Sequence, residues 1–265
     1  MKGTILEKIV ETKRKRVAAA KAAVDKGKLI AKASVHALSE PHRLRSALSD
    51  KGKINIIAEF KRASPSKGII NDLLNPADVA RMYKLGGAAA ISILTEEDHF
   101  GGSLDDLRAV REVVDLPILR KDFIFDPFQV YEAAAAGADA ILLIAAMLDD
   151  SQLYDLEALA EDELGLDVLI EVHTLEELRR LKDSGAKLIG VNNRDLHSFN
   201  VSLDVSRELV KHSTPGSLLV TESGIATRKD ILELKELGYS GFLIGETLMR
   251  SGDPATELRR LNDQS

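Results

Sequence analysis

INIIAEFKRASPSKG, residues 54–68, changes character part-way along. Ile54, Ile56, Ile57 and Phe60 are β-branched or aromatic and run into Ser, Pro and Gly, so the spacing predicts a strand that ends where a loop begins. Glu59 and Lys61 lie two apart and share a strand face, and the loop brings Ser64 near them. A base, an acid and a hydroxyl donor therefore converge at one strand mouth. Taken singly, such a Glu-Phe-Lys reads as an ion pair on an edge strand. Recurrence of the same pattern down the chain argues for more.

Beyond this stretch the chain alternates. Asn75-Pro76 supplies an N-cap and a first-turn proline for a helix through Leu85, and Gly86-Gly87 stops it before a strand over Ala89 to Leu94. Helices are predicted over Ser103 to Val113, from Asp126-Pro127 to Gly137, over Ser151 to Leu164, from the Thr174/Glu177 capping box to Gly185, near Val205 to Lys211, from Thr227 to Leu237 and from Pro254 to Leu261. Strands are predicted over Pro117 to Lys121, Ala140 to Ile144, Val168 to Val172, Leu188 to Asn192, Leu218 to Thr221 and Gly241 to Ile244. The uniformly apolar run at Ala140 points to a strand buried on both faces, as parallel strands are. Four helix-stop glycines, Gly87, Gly137, Gly185 and Gly238, each precede an even-numbered strand at spacings of 50, 48 and 53 residues. Two βα units repeated four times close naturally as a (β/α)8 barrel over residues 51–265, with the whole chain expected to form one domain. No GxGxxG follows the first strand and no GxxxxGK[ST] occurs.

Residues 1–50 form an N-terminal helical extension, which could cap the barrel or help to close its site. A helix is expected over Thr4 to Lys28, with Ile5, Leu6, Ile9, Val10 and Val17 on one side and Lys13, Arg14, Lys15 and Arg16 solvated on the other, and a shorter one over His42 to Leu48. The extension is expected to be dispensable for barrel folding but needed for substrate binding.

Composition narrows the function. The 265 residues are 45% apolar, enough for one large core, and the net charge of −6 offers no global field for nucleic acid or an anionic membrane. There is no cysteine, so disulfides and thiolate chemistry are excluded. The longest apolar run, Ala140 to Leu148, is too short to span a bilayer, and the N-terminus is charged, so no membrane partner is expected and a cytoplasmic location is. The six histidines make no metal motif; Glu171 and His173 share a face but want a third ligand.

In such a barrel the C-terminal ends of the strands build the active site. Glu59 and Lys61, then Arg120, Lys121 and Asp122, Glu171, Asn192 with Arg194, and Glu222 with Ser223 stand there. Carboxylates facing lysines and an arginine offset one another and shift each other's pKa values, which suits proton transfer. Ser223-Gly224 after strand seven and Gly245-Glu246 after strand eight occupy the two loops that commonly cradle a phosphate. Phe100, Phe123 and Leu142 are apolar candidates for an aromatic part of the substrate.

Several motifs in order, AEFKRASPSKG at Ala58, LRKDFI at Leu119, LIEVH at Leu169, GVNNRDL at Gly190, TESGI at Thr221 and FLIGETLM at Phe242, resemble the indole-3-glycerol phosphate synthase family over almost the whole chain. The resemblance implies a carboxy-lyase of tryptophan biosynthesis. It would convert 1-(2-carboxyphenylamino)-1-deoxyribulose 5-phosphate to indole-3-glycerol phosphate, releasing carbon dioxide and water, with no metal or organic cofactor. It further implies that Lys121 is the general acid and that Glu59, Lys61 and Glu171 serve the later proton transfers and dehydration. Lys61 and Ser64 would hold the substrate carboxylate, while Asn192, Arg194 and Glu222 orient hydroxyls or carboxylate. Ser223, Gly224, Gly245 and Glu246 would take the phosphate, with Glu246 standing where some members have serine and so contributing its backbone. Phe100, Phe123 and Leu142 would wall the anthranilate ring. A monomer is expected, acting on a small phosphorylated substrate, with room for weak association with other tryptophan-pathway enzymes. Phosphoribosylanthranilate isomerase, or a non-catalytic phosphometabolite-binding barrel, are the alternatives; neither would need Glu59, Lys61, Lys121 and Glu171 together.

Overall fold

A computed structural model describes residues 4–37, 40–65, 68–70, 74–182, 184–196, 198–213 and 216–262; Ser66 and Lys67 of the opening motif lie outside these. Eight parallel strands close into a barrel: β1 (Ile56–Phe60), β2 (Ala90–Leu94), β3 (Ile118–Lys121), β4 (Ala140–Ile144), β5 (Asp167–Val172), β6 (Leu188–Asn192), β7 (Leu218–Glu222) and β8 (Gly241–Ile244). Each pairs with its neighbour in sequence, and β1 closes the ring by pairing with both β2 and β8, Ile57 opposite Ala90 and Leu243. The strand runs are uninterruptedly apolar because each face has its own core. Ile57, Leu119, Leu169, Leu188 and Val220 point into the barrel, whereas Ile56, Ile91, Ile118, Ile170 and Ile189 pack against the surrounding helices.

The outer ring comprises α4 (Pro76–Leu85), α5 (Leu104–Arg111), α6 (Pro127–Ala136), α7 (Asp150–Ala158), α8 (Leu175–Arg180), α9 (Asp204–Leu209) and α10 (Arg228–Leu237), with α11 (Glu246–Arg250) and α12 (Pro254–Asn262) after β8. The predicted caps are in place: Asn75, Asp126, Thr174 and Thr227 accept backbone N–H groups at their helix starts. All four helix-stop glycines have left-handed φ, between 81 and 116°. Residues 159–163 continue α7 as one π turn. Two short features are additions to the predicted plan: α11, and a hairpin of Ala63–Ser64 with Gly68–Ile69 in the loop after β1.

The extension holds three helices, not two: α1 (Ile5–Ala23), α2 (Lys26–Ala37) and α3 (Arg43–Leu48). The expected single helix over Thr4 to Lys28 breaks at Val24, which is extended, and Asp25 then accepts the Lys28 N–H at 3.1 Å to start α2. The basic cluster is also divided. Lys13 is 3% exposed and falls on the buried stripe with Leu6, Ile9 and Val17, so only its three neighbours face outward.

The two ends of the extension serve opposite ends of the barrel. Leu44 and Leu48 of α3 are fully buried against the inward residues of the strands and plug the N-terminal end. Asn55 ties that plug down, donating to the carbonyls of Leu48 and Asp50 at 3.1 Å and of Ser240 at 3.0 Å. Helix α1 lies at the other end, over the strand mouths.

Candidate functional site

Strand alternation decides which side chains reach the mouth. On β3, Leu119 and Lys121 point inward, while Arg120 points outward to the helix layer, donating to the Gln129 carbonyl at 2.7 Å and to Asp122 at 3.0 Å. Arg120 therefore leaves the expected charged set. Asp122 borders the cavity, but its carboxylate is taken up by Lys13, Arg120 and Thr95.

One cavity of about 420 Å³ occupies the mouth, and every candidate residue lines it: Glu59, Lys61, Ser64, Phe100, Lys121, Phe123, Leu142, Glu171, Asn192, Arg194, Glu222, Ser223, Gly224, Gly245 and Glu246. At its floor the Lys121 Nζ stands 2.8 Å from Glu171 Oε2 and 3.0 Å from Glu222 Oε2. Glu59 and Lys61, two apart, form the expected pair at 2.8 Å. His173 reaches Glu171 at 3.2 Å and Glu177 at 3.4 Å, a supporting cation in place of a metal ligand.

These contacts separate the carboxylates. Burial works against the Lys121 ammonium, but Glu171, Glu222 and Glu59 outweigh it and hold its pKa above the ordinary lysine value. Burial likewise opposes ionisation of Glu171, yet Lys121 and His173 keep it well below the usual carboxylate range. Glu222 goes the other way: burial pushes it up to about 7, with Lys121 opposing. Its Oε1 is buried without a hydrogen-bond partner. His173 is desolvated as well, but the two glutamates raise it to about 10, so the ring is an imidazolium at neutral pH. The floor thus offers an ionised base, a cationic acid and a carboxyl that exchanges its proton near neutrality.

The apolar wall comes from β2, β3 and β4. Phe100 and Phe123 tilt together with ring centroids 6.0 Å apart, beside the buried Leu142 and Leu94. The loop carrying Phe100 is fixed by Glu96, fully buried, which accepts the backbone N–H groups of Asp98 at 3.2 Å, His99 at 2.7 Å and Phe100 at 3.1 Å. Across the ring of strands lies the β7–β8 side. There Ser223 and Gly224 take consecutive positive φ, 66 and 81°, and both line the cavity. Asn192 accepts the Arg194 N–H at 3.0 Å, turning the Arg194 strand end toward the same mouth.

The extension, expected to cap the barrel or help to close its site, supplies part of the roof. Ile5, Leu6 and Ile9 of α1 line the cavity, together with Leu196, Phe199, Thr247 and Arg250, none of them among the expected residues. The apolar stripe of α1 signalled a buried face for the first three, but not that these positions are the ones that reach the cavity. Arg250 pairs with Glu246 at 3.3 Å, so the carboxylate at the cradle brings its own counter-charge.

A sequence profile described as indole-3-glycerol phosphate synthase matches residues 6–261. A relative of that name from Carboxydothermus hydrogenoformans is 48% identical over 263 residues, 97% of this chain and 98% of the relative. Another, from Desulfosudis oleivorans, is 47% identical over 259 residues, again 97% and 98%. Among solved structures, 3-hexulose-6-phosphate synthase from Salmonella typhimurium superposes with TM-score 0.62 at 17% identity, over 79% of this chain and 97% of that one. A mutant tryptophan synthase alpha-subunit from Pyrococcus furiosus gives 0.59 at 14%, over 79% and 98%. These two bear on the fold alone. The sequence match spans the roof helix, the strand mouths and the cradle together, and on it the chain belongs to the indole-3-glycerol phosphate synthase family.

Proposed function

We propose that this chain converts 1-(2-carboxyphenylamino)-1-deoxyribulose 5-phosphate to indole-3-glycerol phosphate, with loss of carbon dioxide and water. The observation that carries the reading is the Lys121 ammonium, held by Glu171 and Glu222 between an apolar wall and a glycine cradle. The aromatic ring lies against Phe100, Phe123 and Leu142, the phosphate at Ser223, Gly224, Gly245 and the Glu246 backbone, and the substrate carboxylate near Lys61 and Ser64. The ring carbon bearing that carboxylate attacks the ribulose carbonyl, and Lys121 gives its proton to the oxygen. An alkoxide is a stronger base than an amine, so a raised lysine pKa still permits the transfer. Protonated Glu222, 3.0 Å away, can restore the ammonium. Carbon dioxide then leaves, its bonding pair restoring the ring. Loss of the hydroxyl as water follows, with Glu59, Lys61 and Glu171 moving the protons and Asn192 and Arg194 orienting the sugar hydroxyls.

The chain contains no tryptophan, so indole fluorescence from added substrate is read against little background. Fluorescence growing with enzyme concentration is expected. Intact substrate with no signal at high enzyme would reject the reading and leave a phosphometabolite-binding barrel. We also read the protein as a cytoplasmic monomer. This is supported by the absence of cysteine and by the described residues, among which no helix is long and apolar enough to cross a membrane and the most exposed large apolar side chains, Val35, Ile69, Leu85 and Tyr154, lie on separate elements.

A further inference from the structure

Helix α1 buries a stripe of Leu6, Ile9, Lys13 and Val17, at the spacing of an apolar face. A leucine at position 13 would satisfy that stripe by packing alone. A buried ammonium is costly unless its partners are fixed in place, so a lysine there defines one seat. Its Nζ stands 2.9 Å from Glu97 Oε2 and 2.9 Å from Asp122 Oδ2. Asp122 is itself 1% exposed, and through Oδ1 it also accepts the Phe123 N–H at 2.8 Å. Its chain neighbours are Lys121, at the cavity floor, and Phe123, in the wall. Arg16 and Lys21 make further links from α1 to Asp98 and Asp126, but about half of each side chain is in water and such pairs contribute little. Lys13 is the buried link. One and two turns before it, Ile9 and Leu6 overhang the cavity.

We infer that Lys13 is a positioning residue for the reaction proposed above: it fixes the register of α1 on the barrel, and so joins the Leu6–Ile9 roof to the Lys121–Phe123 segment beneath. The ring end of the substrate depends on this seat, and the phosphate end does not.

The test uses the full chain. Lys13→Met keeps the length of the side chain and removes the charge. By calorimetry, binding of 2-aminobenzoate, a probe for the ring end, should weaken about tenfold, while inorganic phosphate, a probe for the cradle, binds as in the parent. This readout needs no turnover, so it stands apart from the fluorescence assay that judges the reaction itself. In active enzyme, KM should rise by a similar factor, and Leu6→Ala should add nothing further in the Lys13→Met background, because both act through one roof. Retained folding with 2-aminobenzoate affinity within about twofold of the parent, or effects of Lys13→Met and Leu6→Ala that multiply, would overturn the inference. If Lys13→Met does not fold, Glu97→Gln loosens the same seat from its more exposed side. It should weaken 2-aminobenzoate and spare phosphate, and unchanged binding of both would overturn the inference equally.

Discussion

Lys121 is a lysine with its proton held firmly, not loosened. Burial alone would lower its pKa, but the three carboxylates around it outweigh that and raise it. Its service as an acid must come from placement against a strongly basic oxygen, and Lys121→Arg tests this. Arginine keeps the charge and the ion pairs but is a poor proton donor. With melting unchanged, kcat should fall about 10²- to 10⁴-fold while affinity for a substrate analogue stays within about tenfold. Near-parental kcat would mean that charge suffices and the acid is elsewhere, Lys61 being the next candidate. Gly245 has a second reason to be glycine besides phosphate approach. A Cβ there would lie 2.5 Å from Glu59 Oε1 and 3.1 Å from Glu59 Cβ, so any side chain displaces a catalytic candidate. Gly245→Ala is therefore expected to lower kcat as well as raise KM, whereas Glu246→Ala, removing an exposed pair with Arg250, should change both little. Steady-state kinetics on the two variants check the contrast, and a Gly245→Ala enzyme altered in KM alone would show that Glu59 is not disturbed.

At the scale of elements, the extension divides into a roof and a plug with separate consequences. Removing residues 1–24 should leave a folded barrel that binds substrate at least about tenfold more weakly, since the roof is lost and the plug kept. Removing residues 1–50 was expected to spare the barrel. The burial of Leu44 and Leu48 in the barrel interior argues otherwise, and we propose that extension and barrel are one domain. Leu48→Ala alone should cost about 2–5 kcal/mol, measurable by urea unfolding; a change under about 1 kcal/mol would show that the plug is dispensable. The barrel was legible because its signals are local and repeated: β4, β6 and β8 have the expected bounds, and the glycine stops carry the period. Features with little local signal were not. Among the described side chains of α2 only Ala33 is buried, the hairpin strands have two residues each, and α11 has five. All fifteen candidate site residues reach the cavity because strand mouths dictate where they stand. Lys13 could not be read so, because its hydrogen-bond partner Glu97 lies 84 positions away and nothing nearby distinguishes it from Arg14 or Lys15.

Across the whole molecule, charge is arranged by end. The C-terminal mouth holds the groups whose pKa values are split, and the N-terminal end is closed by structural pairs such as Asp139 with Arg43 at 2.9 Å and Arg111 at 2.8 Å. The perturbed groups set the pH dependence of stability. Glu171, Glu177 and Asp122 are lowered in the fold, so their contribution is present above the ordinary carboxylate pKa and is lost as pH falls. Glu222 and Glu157 are each raised to about 7, so between the ordinary value of 4.5 and that pH the unfolded chain sheds its proton first and stability falls as pH rises. His173, raised to about 10, adds stability that is complete below its ordinary value of 6.5 and lost as pH rises toward 10. Stability should therefore peak on the acid side of neutrality.

Glu157 isolates one part of this without touching the site. It lies on α7, where burial raises its carboxyl first and Glu161 adds to that, against Lys187. Glu157→Gln replaces the carboxyl by a neutral group of the same shape. At pH 4 the parent is protonated in both states, so the two proteins should melt together. At pH 8 the parent must keep an ionised carboxylate beside Glu161, and the variant need not. A difference of 2.5 between the raised and ordinary values would imply a few kcal/mol if the site were dry. Partial exposure screens it, leaving about 1 kcal/mol, or roughly 2–4 °C in Tm for a domain of this size. Melting curves at the two pH values check the sign: a variant no more stable than the parent at pH 8, with Tm values equal at pH 4, would mean that the Glu157 carboxyl is not strained, and the alkaline fall would then rest on Glu222 and His173.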